Sequence, residues 1–519
     1  MSQKPAPKRL NTWQSLARAF LSWRTGSVTL MSFSSGMPLG LVWIAIPDWL
    51  RSSGVDIRVI GLITLAQAPW TFKFLWSPFM DRYTPGFLGR RRGWALLTQV
   101  ALFAVSLMLA GVGDQPEAPW IVGALALAMA FAAASQDIAV DAYAVDVLRP
   151  EEHGVAVGAR TALYRAAMFV AGGGAISLAG AWGWGKVNLM LGCLYLPIML
   201  ITWLAPEPEE AVINPKTIKE AVWYPFLGFL SRHRALEILA FVMFYKLADN
   251  LAQGLQRPFL VDLGFSDVDR GANLALLGVF TIVIGTLLGG VLTSFMGLGH
   301  ALWVFGLIQI FSNVGYALLA MDGTVNRPLM FAAFGFESFS SGLGSGAFGV
   351  LLLRMTQKRF SATQYALFSS LFGLPRIIAG PIIGFAVYAV GWEIFFWSTL
   401  AAGIPGLILL SRFVPIGTRE PTFTVEAPKQ RRPLRRGELA LRGAVGAVCG
   451  AVFAALTLVS MEALRGIREG EGFLFEASLR GLFAPEDWRG WVTWVGILVF
   501  GVVCGLFTAA VVAARHGLG

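Results

Sequence analysis

The sequence predicts an all-α polytopic membrane protein: two six-helix bundles followed by two extra C-terminal transmembrane helices, 14 spans in total. Three observations predict it. Fourteen apolar stretches run along the 519 residues, each long enough for a membrane helix, which needs about 20 mostly apolar residues. The chain is 56% hydrophobic and only 14% charged, whereas a soluble domain carries about 25% charged residues. A polar break at 206–234 divides the first twelve stretches into six and six. The number and length of these runs exclude a soluble enzyme.

Taken in order, residues 1–27 are a polar, basic cytoplasmic segment. No cleavable signal peptide is expected, because the first apolar run is too long for an h-region. The N-terminal bundle covers 28–205, with spans at 28–49, 59–80, 93–113, 119–143, 155–180 and 185–205. The linker 206–234 contains an amphipathic piece, Ile218–Leu230, interrupted by Pro225 and suited to the cytoplasmic interface. The C-terminal bundle covers 235–412, with spans at 235–260, 271–296, 300–321, 328–354, 362–389 and 392–412. A basic linker, 413–437, leads to an additional helix pair within 438–513, with spans at 438–462 and 490–513.

The net charge of +10 looks at first like a nucleic-acid signal, but its distribution says otherwise. The basic residues cluster between spans, in Arg90–Arg92, in Lys358 and Arg359, and in Arg431, Arg432, Arg435 and Arg436. Loops such as Gly113–Ala118 and Met321–Asn326 are poor in positive charge. The positive-inside rule places the rich set, and both termini, in the cytoplasm. The lipid bilayer is therefore the expected partner and nucleic acid is not. Cys193, Cys449 and Cys504 fall in apolar helices and read as small buried hydrophobes, with neither metal spacing nor a disulfide framework. No metal or cofactor is expected. The glycines at 172–174 mark a tight crossing, since no P-loop lysine follows them. No ATP-binding cassette is present, so a gradient is the expected driving force.

Charge inside the spans points to function, because a buried ionisable group in a bilayer is costly and usually lines a pathway. Asp137 and Asp141 in the fourth span are four residues apart and share one helical face. Two like charges there suit reversible protonation, so this pair is a candidate for the coupling proton. Pairing of Asp141 and Asp146 with Arg149 or Arg160 is the competing arrangement. In the seventh span Lys246, Asp249, Asn250, Gln253 and Gln256 make one polar stripe. A cation, a carboxylate and amides suit a large cargo rich in hydrogen-bonding groups. The competing arrangement is a Lys246–Asp249 salt bridge, with the amides joining helices. Tyr164 and Arg165 in the fifth span offer a guanidinium to an anionic group, or neutralise Asp137. Lys73, near Gln67 in the second span, either binds cargo or snorkels outward. Glu337 in the tenth span is a second proton candidate, followed by Ser338, Ser340, Ser341, Gly342, Gly344 and Gly346, a face that permits close helix approach. Arg376 follows Pro375 in the eleventh span, where a kink would expose backbone groups. Between the second and third spans, Asp81 can meet Arg90 and Arg91 across a short loop and latch the cytoplasmic side. The equivalent stretch of the second half, Ser294–His300, has lost its charges.

Two six-helix halves with this charged loop resemble the major facilitator superfamily, in which cargo binds near the midplane between halves. A closer resemblance lies in Phe74–Pro78 leading to Met80–Pro85, Gly89–Trp94, Ala134–Ile138 with Asp141 and Ala142, Phe244–Asp249, Phe360–Leu367 and Pro405–Leu410. These strings resemble the AmpG muropeptide permeases, in order, over about residues 28–412. The resemblance implies a proton-driven importer in the inner membrane of a double-membraned bacterium. It implies N-acetylglucosaminyl-1,6-anhydro-N-acetylmuramyl peptides as cargo, feeding wall recycling and, where the circuit exists, β-lactamase induction. Gln136, beside Asp137 in a family string, is carried over as part of the functional centre. The uncharged loop and the terminal pair depart from the family pattern. Competing readings are a facilitator for another amphipathic solute, and a membrane assembly factor that does not transport.

Overall fold

The computed structural model describes residues 17, 19, 21–56, 59–60, 63–113, 119–208, 215, 217–232, 234–253, 256–266, 269, 277–423, 436–468, 472, 475–484 and 488–516. The first half contains α1 (Trp23–Ser52), α2 (Ser77–Arg82), α3 (Arg90–Val112), α4 (Pro119–Val147), α5 (His153–Trp182) and α6 (Trp184–Leu204). After the linker helix Ile218–Leu230 come α7 (Leu247–Gln253), α8 (Gly278–Met296), α9 (Leu298–Asp322), α10 (Arg327–Met355) and α11 (Ser361–Phe413). The chain ends in α12 (Arg436–Arg468), α13 (Phe475–Phe483) and α14 (Trp488–His516).

Ten helices among the described residues are long and apolar enough to cross a membrane, against the fourteen spans expected. The second expected span breaks into Thr64–Gln67, Ala68–Phe72, Lys73–Leu75 and α2. Pro69 and Pro78 open two of these pieces, and each removes an N–H that a continuous helix would need. The seventh breaks at Tyr245 and Lys246, between Ala235–Phe244 and α7. The tenth runs unbroken as α10, but Glu337 and its Ser and Gly residues lower its hydropathy. The eleventh is the first part of α11, which continues through Pro375 and turns only at Gly391, with φ 77°.

Each half has its own core. Met37, Trp49, Met129 and Leu191 belong to the first, and Phe259, Tyr316, Phe334 and Phe396 to the second. Bare backbone sets the tightest crossings. A Cβ on Gly36 would lie 2.2 Å from the Tyr164 carbonyl oxygen, which locks α1 against α5. A five-residue π turn interrupts each of these helices, at Leu41–Ala45 and Val170–Gly174, and there Gly172 packs on Ile44. On α10, Gly342 and Gly346 lie against the backbone of α8, and Gly344 lies against Gln309 of α9. Between the halves, Gly154 of α5 and Gly290 of α8 meet backbone to backbone, each Cβ position within 2.3 Å of the other's carbonyl oxygen.

By contacts the chain divides into two compact units, 1–221 with 237–422, and 222–236 with 423–519. In the second unit α12 and α14 form an antiparallel hairpin. Gly443 faces Gly505 and Ala509, and Gly450 faces Gly501 and Cys504. Helix α13 was not foreseen; it joins this hairpin, and its Leu482 carbonyl accepts from Trp494 Nε1 at 2.7 Å. Cys193 and Cys449 are exposed rather than buried, and Cys504 is half-buried. Cys193 and Cys449 lie on outer helix faces, where lipid is the expected neighbour and the hydrophobic rule for a soluble core does not apply, whereas Cys504 packs against Gly450 within the hairpin.

Candidate functional site: two buried networks and a helix-end latch

In the first half the site rests on α4. Its many alanines favour the helix and leave its sides thin. Asp137 and Asp141 share a face, as their spacing requires, but they do not stand as an isolated like-charged pair. Lys73 points inward, its Nζ 3.9 Å from Asp137 Oδ2 and 3.6 Å from Asp141 Oδ2, with its side chain buried. It does not snorkel. Arg160 of α5 binds Asp141 Oδ1 directly, and its guanidinium lies 6.0 Å from the Tyr365 ring centroid on α11, in the other half. Two carboxylates thus face two cations, which removes the bare repulsion expected from the sequence. Tyr164, half-buried on α5, lies among Asp137, Asp141, Arg160 and Arg165. Gln136 is fully buried. Its Nε2 donates to Ser34 Oγ at 2.9 Å and its Oε1 accepts from the Thr98 hydroxyl. In this geometry Gln136 joins α4 to α1 and α3.

In the second half the polar stripe turns onto its own neighbours. Lys246 Nζ donates to Asp249 Oδ2 at 2.8 Å, to the Ser341 carbonyl at 2.7 Å and to Ser341 Oγ at 3.2 Å. All three ammonium donors are therefore engaged, and the i,i+3 salt bridge is formed. Gln253 Nε2 donates to Glu337 Oε1 at 2.6 Å and to Ser341 Oγ at 3.3 Å. Tyr316 OH donates to Glu337 Oε2 at 2.9 Å and accepts from Gln256 Nε2 at 2.6 Å. The stripe is thus no open wall here, because its amides are spent on α9 and α10. Asn250 differs: among the described residues its buried Nδ2 has no hydrogen-bond partner. The side chain of Arg376 lies outside the described residues.

The loop residues Asp81, Arg90 and Arg91 do come together. Asp81 Oδ1 accepts from Arg90 Nη2 at 2.7 Å and from Arg91 Nη2 at 2.5 Å. The other half supplies the rest. Asp81 Oδ2 accepts from the Thr363 N–H at 2.8 Å and from Thr363 Oγ1 at 2.5 Å, at the first turn of α11. A carboxylate is favourable there, where N–H groups lack intrahelical partners. Arg91 also donates to Ser361 Oγ at 2.7 Å and to Asp146 Oδ2 at 3.0 Å. Asp146 therefore pairs with Arg91, and not with Arg149 or Arg160 as the sequence suggested. Arg90 Nη2 reaches the Arg359 carbonyl at 2.8 Å. The uncharged loop of the second half is held differently. The chain after α11 folds back so that the Arg419 carbonyl accepts from Gly299 N at 2.9 Å, Arg419 Nη2 donates to the Phe295 carbonyl at 3.0 Å, and Glu420 pairs with Arg354.

Comparison with known proteins places this architecture. The Major Facilitator Superfamily pattern matches residues 28–379. The anhydromuropeptide permease of Escherichia coli (strain K12) is 40% identical over 395 residues, which is 76% of this chain and 80% of that protein. The chain belongs to the AmpG-type permeases of the major facilitator superfamily. Such proteins are multi-pass membrane transporters, not enzymes. An uncharacterized protein of Haemophilus influenzae is 34% identical to this permease, over 74% of this chain and 93% of that one. A transporter of Rickettsia felis named AmpG 4 is 28% identical, over 76% and 97%. The human organic anion transporter MFSD10 (TETRAN) shares the fold, with a TM-score of 0.58 at 15% identity, covering 75% of this permease and 99% of that chain. The helices α12–α14 of the permease lie beyond the residues the superfamily pattern matches.

Proposed function

We propose that this permease imports anhydro-muropeptides, the disaccharide GlcNAc-1,6-anhydroMurNAc and its peptides, across a bacterial inner membrane by proton-driven alternating access, for peptidoglycan recycling. The relative at 40% identity carries that cargo in its name. The observation that carries the reading is the pairing of two buried charged networks, one per half, with a latch that joins the halves at one end. Both termini lie in the cytoplasm, so the latched end is the cytoplasmic one and this state receives cargo from the periplasm.

Asp137, Asp141 and Glu337 carry the coupling proton. Lys73, Tyr164, Arg165, Lys246, Asp249, Asn250 and Arg376 form the cargo surface, Gln136 and Gln253 brace it from behind through their bonds to neighbouring helices, and Asp81 with Arg90 and Arg91 gates it. Sugar hydroxyls and acetamides call for amide partners such as Asn250, whose donor is open. A peptide carboxylate takes the place of Asp249 or Ser341 on Lys246, which exchanges one charge-assisted bond for another.

The test is uptake of radiolabelled anhydro-muropeptide into vesicles holding the full-length protein, with and without an uncoupler. Concentrative uptake that the uncoupler abolishes is expected. Uptake that only equilibrates, or that ignores the uncoupler, sinks the proton-driven reading. No uptake of this cargo, with retained uptake of an unrelated amphipathic solute, sinks the cargo assignment.

A further inference from the structure

We infer that Gln253 is the positioning residue that reads the protonation of Glu337 and transmits it to the break in the seventh segment at Lys246. The inference rests on the proposed role of Glu337 in proton coupling, and adds how that event reaches a neighbouring helix.

The argument starts from donors and acceptors. An ionised carboxylate only accepts, while a carboxylic acid must also donate one hydrogen bond. Both oxygens of Glu337 meet donors: Gln253 Nε2 at 2.6 Å and Tyr316 OH at 2.9 Å. The direction of the tyrosine bond is fixed, because Gln256 Nε2 already donates to the Tyr316 oxygen at 2.6 Å. Its hydrogen is left for Glu337. This shell fits the anion. Among the described residues, the full charges that face Glu337 are Lys246 and Asp249 of the seventh segment, and these two pair with each other. Ser340 and Ser341 on its own helix are neutral, as is Tyr316 from α9.

When a hydronium ion gives its proton to the Glu337 carboxylate, one O–H bond forms on the carboxyl, one O–H bond breaks in the hydronium, and water is released. The new O–H then faces a donor on either side. Tyr316 cannot accept it without Gln256 turning as well. Gln253 answers alone, because rotating its terminal amide presents Oε1 in place of Nε2. That rotation also ends the Gln253 bond to Ser341 Oγ, at 3.3 Å. Ser341 is the residue whose carbonyl and hydroxyl hold Lys246 Nζ, and Lys246 sits where the seventh segment breaks. Protonation on α10 is thereby converted into a changed grip on the bend of its neighbour.

The test uses full-length protein in proteoliposomes, with pH-driven accumulation and counterflow of labelled anhydro-muropeptide measured side by side. For Gln253→Met, accumulation is expected to fall about tenfold further than counterflow, the loss of one hydrogen bond to a charged group. Glu337→Gln is the reference. If that variant still accumulates cargo in an uncoupler-sensitive way, the proton role of Glu337 fails. If it does not, and Gln253→Met accumulates like the wild type, the relay alone fails. Equal loss of both activities in Gln253→Met also overturns the relay. Infrared difference spectra on acidification give a reading independent of transport yield. A carboxyl C=O band lost in Glu337→Gln is expected, together with a side-chain amide change lost in Gln253→Met. A carboxyl band with no amide change overturns the relay.

Discussion

The two halves of this permease neutralise their buried carboxylates in opposite ways. In the first half, Lys73 and Arg160 bring full charges from two other segments to Asp137 and Asp141. In the second, Lys246 and Asp249 cancel each other within one short stretch, and Glu337 is left to neutral donors. The difference teaches where each half spends its polarity. Ion pairs between segments fix those segments, since removing one partner strands a charge away from water. A carboxylate held by amides and a phenol can gain a proton without stranding anything. The first cluster joins its segments by full charges, whereas Glu337 meets its neighbours through neutral hydrogen bonds.

That contrast breaks most easily at Asp141. Asp141→Asn leaves Lys73 and Arg160 facing only Asp137, and a stability loss of about 3–5 kcal/mol is expected, read as a thermal-shift loss in detergent. The double variant Asp141→Asn/Lys73→Met restores one cation to one anion and is expected to recover most of it. If the double variant is no better than the single, charge balance does not organise the first half.

The latch comes next. Asp81→Asn removes the charge from two guanidinium bonds and from the α11 N-terminus. About 2–3 kcal/mol of the closed form is expected to disappear, seen as faster thiol labelling and slower disulfide crosslinking of cysteines placed on the facing ends of α2 and α11. Unchanged labelling rates would mean the halves are held there by packing alone. Glu337→Gln should cost only about 1 kcal/mol, because an amide can still pair with Gln253 and Tyr316. A melting loss equal to that of Asp141→Asn would erase the distinction drawn between the halves. The smallest effect belongs to Glu420→Gln, which breaks a half-exposed pair with Arg354. It should cost at most about 1 kcal/mol, and a larger loss would give the strap after α11 the same weight as the charged loop.

Much of this was legible in the sequence, because lipid makes composition speak. Apolar length gave the helices, and the interruptions gave Asp137, Asp141, Lys246, Asp249 and Glu337. The four-residue spacing of Asp137 and Asp141 was enough to place them on one face. Other features depend on distance in space. Nothing local ties Asp81 to Thr363 across 282 residues, and nothing tells Lys73 to turn inward. Tyr316 escaped because a single tyrosine in an apolar helix forms no pattern. Continuous apolar runs also concealed the breaks in the second and seventh spans, where prolines near the ends of pieces and an inward-turned lysine matter more than average hydropathy. Helix α13 was hidden by its brevity.

The meeting of Gly154 and Gly290 carries one last consequence. Backbone meets backbone there, with the Ser294 hydroxyl beside Gly154, so the two helices cross with no room to spare. A single methyl group at either position would act as a wedge. It would prop that end apart, and a transporter meant to rock would be left standing with one door ajar.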